Sequence, residues 1–479
     1  MPLSPTSKPR AGWTFVIVSV ALFMVTLDNL VVSTALPTIR VDLGASLESL
    51  EWTVNAYTLA FAVLLLTGAA LGDRFGRKRM FGIGIGLFTL ASAGAALAPS
   101  ADLLVAARAA QGVGAAMVLP LTLTLLSEAI PLEKRGLAIG AWSGISGLGV
   151  ALGPVVGGAV VDGISWHWIF WLNVPIGLVL VPLSRRFLTE SHGPAGKLDL
   201  PGIALAGLGL LGVVFGIVRG EALGWTSASI LGSIGAGLAL LVAFVVWEHR
   251  APAPMLPLRF FRSRAFSATN ATSLAMFFGV FGSIFLLSQF FQTTQGLSPL
   301  QSGLRVLPWT IMPMFVAPVA GILSDRIGAR PLMATGLALQ AIAIAWLAAV
   351  VTPTVAYSAL LVPFILAGTG MALVFAPAAN SVLGSVKPEE AGQASGATNA
   401  IRELGGVLGV AVLASVFTAN GGYASPTDYV DGMTAALPIG AAVLGAGAVI
   451  ALLIPRMRRA DEVETASSET PAGALVEAA

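Results

Sequence analysis

The 479-residue sequence predicts an all-α membrane protein with fourteen transmembrane helices, built as two six-helix bundles plus an inserted helix pair. Three observations lead there. Apolar residues make up 56% of the chain and charged residues 10%, against roughly a quarter charged in a soluble domain, and the mean hydropathy is +0.87. The apolar residues are grouped in stretches of about 20, the length that spans a bilayer. One charged turn is written twice, as Gly72-Asp73-Arg74-Phe75-Gly76-Arg77-Lys78-Arg79 and Ser324-Asp325-Arg326-Ile327-Gly328-Ala329-Arg330, with the aspartates 252 positions apart. Pro131-Leu132-Glu133 returns as Pro388-Glu389-Glu390 and Leu152-Gly153 as Leu408-Gly409, at offsets of 257 and 256. A common offset over separate loops and helices implies two related halves, the pattern of transporters that work by alternating access.

The elements follow in order. The span 13–36 is too long for a signal-peptide core and lacks a cleavage site, so it is expected to be retained. Spans 50–71 and 80–98 flank the first charged turn, which belongs outside the hydrocarbon because its side chains find no partners there. Spans 102–126, 136–161 and 168–184 complete an N-terminal bundle over 1–184. A linker at 185–199 leads to spans 200–218 and 227–247. In a simple six-plus-six chain the second charged turn would follow helix eight; it follows helix ten, so this pair is an insertion. Glu248–Arg264 is rich in Pro and Arg with Phe260 and Phe261 beside the cations, which predicts an interfacial segment closing the 185–264 region. Spans 265–291, 299–323, 332–351, 355–378, 393–418 and 432–454 form the C-terminal bundle, 265–454. The tail, 455–479, is polar and rich in small residues and is expected to be disordered.

Orientation comes from the cations. Of 26 Lys and Arg residues, all but Arg40, Arg108, Arg219 and Arg305 fall on or near the side that carries the N-terminus, while the loops 292–298 and 352–354 carry no charge. The positive-inside rule then puts both termini in the cytoplasm, and the expected location is a bacterial inner membrane. The same flanking cations explain the pI of about 9.1, so no nucleic-acid partner is implied. With no cysteine, disulfides, thiolate metal sites and cysteine nucleophiles are excluded. His167, His192 and His249 all fall in loops, so no intramembrane enzyme is expected, and neither a cofactor nor a metal.

Charges inside the spans are the candidates for chemistry. Asp28 sits mid-helix among Val25, Leu27, Leu30 and Val31, where a charge costs on the order of 2.5–3.5 kcal/mol and persists mainly where it is used. Burial favours the neutral form of a carboxylic acid, which suits a proton carrier; the plainer role is a structural hydrogen bond. At 1.5 Å per residue, Asp28 lies about 12 Å and Arg108 about 9 Å below the outer surface, so the two can pair directly or through water. Arg108 could equally hold only helix-one carbonyls, and Gln111, one turn away, fits either role. Glu403 is a further proton or cation candidate; Arg402 beside it points about 100° away. In the charged turns, Asp73, Arg74, Arg77 and Lys78, with Asp325, Arg326 and Arg330 as the weaker counterpart, are candidates for gating as well as anchoring. An anchor needs no acid, whereas a carboxylate can pair with an Arg or cap a helix N-terminus. Gly149, Gly153, Pro154, Gly157 and Gly158 form a small-residue face that allows close helix packing or a seal between bundles.

Together these motifs resemble the major facilitator superfamily. The Asp-Arg-x-Gly-Arg-Lys turn, Leu104-Val-Ala-Ala-Arg108-Ala-Ala-Gln111-Gly112-Val-Gly114, and Gly149-Val-Ala-Leu-Gly153-Pro154-Val-Val-Gly157-Gly158 look like its signatures, the last being similar to the antiporter motif. Leu27-Asp28-Asn-Leu-Val-Val-Ser-Thr-Ala35-Leu36-Pro37 and Trp168-Ile-Phe170-Trp-Leu-Asn173-Val-Pro175 resemble its fourteen-helix drug:proton antiporter branch. Ala69 replaces a pattern glycine, and Ser33-Thr34 departs from the branch. The resemblance implies a cavity lined by helices one, four, nine and twelve, with Asn29, Gln111, Asn270, Phe277, Phe281, Gln289, Phe364 and Phe375 as substrate-facing candidates. An apolar, aromatic lining suits bulky lipophilic compounds. The expected function is export of lipophilic or cationic compounds, exchanged for protons and driven by the proton gradient, by a monomer in the bilayer. The rival is a dedicated exporter of one self-made metabolite, and a non-transporting scaffold or receptor is a reading of another class.

Overall fold

The computed structural model describes residues 8–193, 199–252, 254, 256–386 and 390–455. The tail expected to be disordered lies outside them beyond residue 455. Helices α1 to α6 are Lys8–Leu43, Leu47–Phe75, Arg77–Ala96, Ala101–Ala129, Leu132–Gly163 and the broken helix His167–Phe187. The inserted pair is α7, Leu200–Leu223, and α8, Ala228–Arg250. Helices α9 to α14 are Arg264–Gln289, Pro299–Ile327, Ala329–Val350, Tyr357–Leu383, Ala391–Asn420 and Pro426–Ala451. No strand occurs among the described residues. Thirteen helices are long and apolar enough to cross a membrane; α5 is the fourteenth, with its described apolar part at Leu152–Gly163.

Every predicted span is present, and most run past their apolar cores because backbone hydrogen bonding continues into the polar boundary. Two spans differ in kind. The sixth is interrupted at Leu172 between His167–Trp171 and Asn173–Phe187. Pro175 has no N–H to give the Trp171 carbonyl four residues back, which loosens the helix there. The ninth ends in a π-turn, Phe290–Thr294, so it reaches further than the hydrophobic stretch. At 258–262 the chain forms a 3₁₀ turn that sends Phe260 into a cluster with Phe266, Val382, Ala394 and Ala397.

The duplication is visible in the packing. α2 and α3 both lie on α4, and α10 and α11 both lie on α12; α1 packs on α5 as α9 packs on α13. Each relation in the first half recurs eight helices later. The two bundles meet where α5 lies along α10 and α2 along α13, a pair of contacts related by the same rule. Both charged turns hinge on a glycine with positive φ, +101° at Gly76 and +85° at Gly328, a conformation in which a side chain would be strained. The inserted α7 covers the α2–α13 seam, packing Val214 and Val218 against Leu59, Val407 and Ala411. α8 lies outside it, with Leu231, Leu238, Val242 and Val245 exposed, as a lipid-facing surface requires.

Candidate functional site

Asp28 comes from the middle of α1 and is 1% exposed. Arg108, also 1% exposed, reaches it from α4, placing Nη1 2.5 Å from Asp28 Oδ2. The depth argument from the sequence is met by a direct ion pair. Its surroundings are polar and almost complete. Asn173, at the break in α6, donates to Asp28 Oδ1 at 2.7 Å. The Gln111 amide spans Asp28 Oδ1 at 3.4 Å and Ser92 Oγ at 2.7 Å, while its oxygen accepts from Arg108 at 3.0 Å. Arg108 Nε donates to the Thr53 carbonyl at 3.1 Å, and the guanidinium lies 4.2 Å from the Tyr57 ring centroid. Four helices besides α1 therefore supply partners: α2, α3, α4 and α6. Removing either side chain would leave the other buried without its counter-charge.

Sequence reasoning found Asp28, Arg108 and Gln111 but gave no role to Asn173, Tyr57, Thr53 or Ser92. Asn173 carried a usable signal, a polar amide inside a span beside a helix-breaking Pro175. The Thr53 contribution is a backbone carbonyl and leaves no mark in sequence.

Glu403 and Arg402 point different ways, as their i, i+1 spacing demands. Asn29 is the hydrogen-bonding partner of Glu403, joining α1 of one half to α13 of the other. Arg402 instead sits among rings, 5.9 Å from the Phe277 centroid and 5.5 Å from that of Phe375. Phe277 stacks on Phe281 at 5.4 Å and meets Phe375 edge-on at 5.9 Å, so three of the cavity candidates form one ring cluster, two of them beside the guanidinium. The other candidates lie elsewhere. Phe364 is fully buried against Phe291 and Trp309. The Asn270 amide donates to the Phe266 carbonyl one turn below it. Gln289 lies beneath Tyr423, whose hydroxyl donates to it; burial pushes that hydroxyl well above the usual phenol range, so it keeps its proton.

The glycine face of α5 divides its work. A Cβ at Gly149, Gly153 or Gly157 would meet Thr26, Leu30 or Thr34 of α1 at 2.2, 2.8 and 2.6 Å, so these three serve packing within the first bundle. A Cβ at Gly158 would meet the Pro299 carbonyl of α10 at 2.3 Å, and one at Gly303 would meet the Pro154 carbonyl at 2.2 Å. Gly158 and Pro154 thus form the close approach between bundles. On the same face of the molecule, Ser288 donates to the Ser33 carbonyl at 3.1 Å, Gln292 to that of Thr34 at 2.8 Å, and Arg40 lies 3.7 Å from the Tyr423 ring.

On the opposite, basic face the first charged turn is tied into a network. Arg77 holds Asp73 at 2.7 Å and also pairs with Glu128 at the end of α4. The chain after α6 lies over the turn: Arg77 N–H donates to Ser191, Gly193 N–H donates to Asp73, and the Glu190 carboxylate accepts from the N–H groups of Lys78 and Arg79 at 2.9 and 3.2 Å. The expected cap on a helix N-terminus exists, but Glu190 supplies it, and Asp73 takes the pairing role. Arg74 is exposed beside Phe75. In the second turn Arg326 is exposed and Arg330 half-buried, and neither forms an ion pair among the described residues; the Asp325 side chain lies outside them. Three of the four cations that broke the charge asymmetry have evident partners: Arg108 has Asp28, Arg219 pairs with Glu48, and Arg305 donates to Gln295 at 3.1 Å. Arg40 has the Tyr423 ring.

Known proteins are similar to this chain along most of its length. The model of the Major Facilitator Superfamily matches residues 18–410 and 271–475. The chain is 36% identical to the Multidrug resistance protein Stp of Mycobacterium tuberculosis, over 85% of this chain and 76% of that one. It is 34% identical to the Methylenomycin A resistance protein of Streptomyces coelicolor, over 93% and 92% of the two chains. A solved structure of a bacterial homologue of the human lysosomal transporter Spinster, in an inward-facing and unoccupied conformation, superposes with a TM-score of 0.66 at 17% identity, covering 94% of this chain and 97% of that one; at that identity it speaks for the fold alone. With two eight-helix-offset halves, a buried Asp28–Arg108 pair and matches along nearly its whole length, the chain belongs to the Major Facilitator Superfamily of membrane transporters.

Proposed function

We propose that this transporter exports lipophilic or cationic compounds from a bacterial cytoplasm through the inner membrane in exchange for protons, as a monomer with both termini cytoplasmic. The observation that carries the reading is the Asp28–Arg108 pair, the one place among the described residues where a fully buried carboxylate and a fully buried cation meet. Its chemistry suits coupling. A proton arriving at Asp28 Oδ2 cancels the attraction to Arg108, and Arg108 keeps the Thr53 carbonyl, the Gln111 oxygen and the Tyr57 ring. With the cavity facing outward Asp28 takes the proton from the more acidic side; facing inward it gives the proton up and becomes attractive to a cation.

The Asp73–Arg77–Glu128 network with Glu190 fits a cytoplasmic gate, and the Gly158–Pro299 and Gly303–Pro154 approaches fit a seal on the far side. If one proton exchanges for a monovalent cation, no net charge crosses. A neutral cargo leaves one charge crossing, worth about 2.3 kcal/mol per 100 mV. The names of the relatives, multidrug resistance and methylenomycin A resistance, support both a broad exporter and a dedicated one.

The test is reconstitution in liposomes with an imposed pH gradient and ethidium as cargo. Asp28→Asn keeps the size and removes the titration, so uphill ethidium transport and substrate-driven proton movement should both vanish. Protein carrying Asp28→Asn that still concentrates ethidium would place the coupling carboxylate elsewhere, with Glu403 next to examine.

A further inference from the structure

Arg402 is a charge for which the proton mechanism has no use, and its position is chemically unusual. Nε and Nη2 are both shut off from solvent with no hydrogen-bond partner. Glu403, its neighbour in the chain, is turned to Asn29, and no ion pair joins Arg402 to an acid among the described residues. A buried donor left unpaired costs about 1–3 kcal/mol, more when charged, so a guanidinium kept in that state is held for a partner that comes and goes.

The surroundings describe that partner. Ser395, Thr398, Asn399 and Arg402 follow one another at helical spacing on one face of α13, and with Ala379, Val382 and Leu383 of α12 they line a small recess of about 50 Å³. Thr398 Oγ1 is likewise buried and unpartnered. The recess has room for one small polar group, such as a carboxylate, and the rest of a larger ligand would lie outside it. Phe277 and Phe375, in edge-on contact with each other, lie 5.9 and 5.5 Å from the guanidinium, and Phe375 is only half-buried. A guanidinium presents its N–H groups as a planar fork matched to carboxylate, sulfonate or phenolate oxygens. The recess lies between the last turns of α12 and the first turns of α13, on the basic face, which is the side a compound leaving the cytoplasm reaches first under the proposed topology.

We infer that Arg402, with Phe277, Phe375 and Thr398, forms a substrate subsite for the acidic group of an aromatic compound. This deepens the transport reading and rests on it for its purpose, but not for its binding chemistry: the cargo extends to aromatic acids and zwitterions, with the acid on Arg402 and the ring outside the recess, against the half-buried Phe375. A cation is repelled from this subsite and uses the carboxylates of Asp28 and Glu403 instead.

Equilibrium binding of fluorescein, a planar aromatic dianion, and of ethidium, a planar aromatic cation, to the purified full chain in detergent micelles tests the inference by fluorescence anisotropy. Arg402→Gln should weaken fluorescein about tenfold or more, the loss expected for one charge-assisted contact, and leave ethidium unchanged or tighter. Arg402→Lys should keep part of the fluorescein affinity, since the charge stays and the planar fork goes. Asn399→Asp, which puts a negative charge into the recess without touching Arg402, should also weaken fluorescein and covers the case in which Arg402→Gln does not fold. Fluorescein binding that neither Arg402→Gln nor Asn399→Asp alters overturns the inference, as does wild-type protein that binds ethidium and not fluorescein. Binding is read without a gradient, so failed uphill transport with these affinities intact would count against the transport proposal alone.

Discussion

Replacing Asp28 by asparagine leaves Arg108 as a buried cation with no counter-charge, and the cost can be worked from its contacts. Breaking a buried pair by removing one partner costs about 3–5 kcal/mol. The lower end applies here, because Arg108 retains the Thr53 carbonyl at 3.1 Å, the Gln111 oxygen at 3.0 Å and the Tyr57 ring at 4.2 Å. The expected loss is about 3 kcal/mol, roughly a hundredfold in the ratio of folded to unfolded protein. Adding Arg108→Gln removes the orphaned charge, so the double variant should regain about 2 kcal/mol relative to the sum of the single changes, within the range of coupling seen for contacting residues. Equilibrium unfolding of the four proteins in mixed micelles, followed by the fluorescence of the 10 tryptophans, measures the cycle. Uphill ethidium transport should be absent in all three variants, because each lacks the titrating carboxylate or its partner. A single Asp28→Asn change within about 0.5 kcal/mol of wild type, or strictly additive single changes, would refute the idea that the two charges hold each other.

Three further outcomes are expected. The natural chain has no cysteine, so single substitutions report topology: Gln295→Cys and Ala424→Cys should react with an impermeant thiol reagent from outside, and Lys78→Cys and Glu462→Cys only after the membrane is opened, the reverse pattern refuting the orientation. Asp73→Asn breaks the Arg77 contact at 2.7 Å while leaving the loop cations, so transport should slow several-fold with insertion unchanged, and transport at the wild-type rate at every driving force would remove Asp73 from the gate. Gly158→Val drives a methyl group into the Pro299 backbone and should cut transport about tenfold or more at normal membrane insertion, whereas Gly144→Ala on the same helix, where nothing lies within 4 Å, should be close to neutral.

Part of the site was legible in the chain for simple reasons. Asp28 and Arg108 are conspicuous because a charge in an apolar span is costly, and the 1.5 Å rise of a helix puts both at one depth. Asn173 stood out as a polar amide beside Pro175, but its partner did not, since its role depends on α6 breaking beside α1. Glu190 is 112 positions from the N–H of Lys78 that it caps, and no local pattern links them. The aromatic candidates show the same limit. Phe277, Phe281, Phe364 and Phe375 look alike in sequence; Phe277 and Phe375 lie beside Arg402, Phe281 stacks on Phe277, and Phe364 is packed into the core beside Trp309.

What the sequence determined by itself is the number of helices, the duplication, the insertion and the charge asymmetry. These follow from the length of apolar runs, the offset of repeated turns and the placement of Lys and Arg, all of which are properties of the chain read along its length. What only the tertiary structure decided is which face of each helix meets which neighbour. In a membrane span both the lipid and the interior are apolar, so composition around the helix carries little of the inside-out contrast that marks the buried face of a soluble helix. The division of one glycine face on α5 between α1 and α10, and the turning of Arg402 and Glu403 to different partners, come from rotation about helix axes, and that rotation is set by packing against helices far away in the chain.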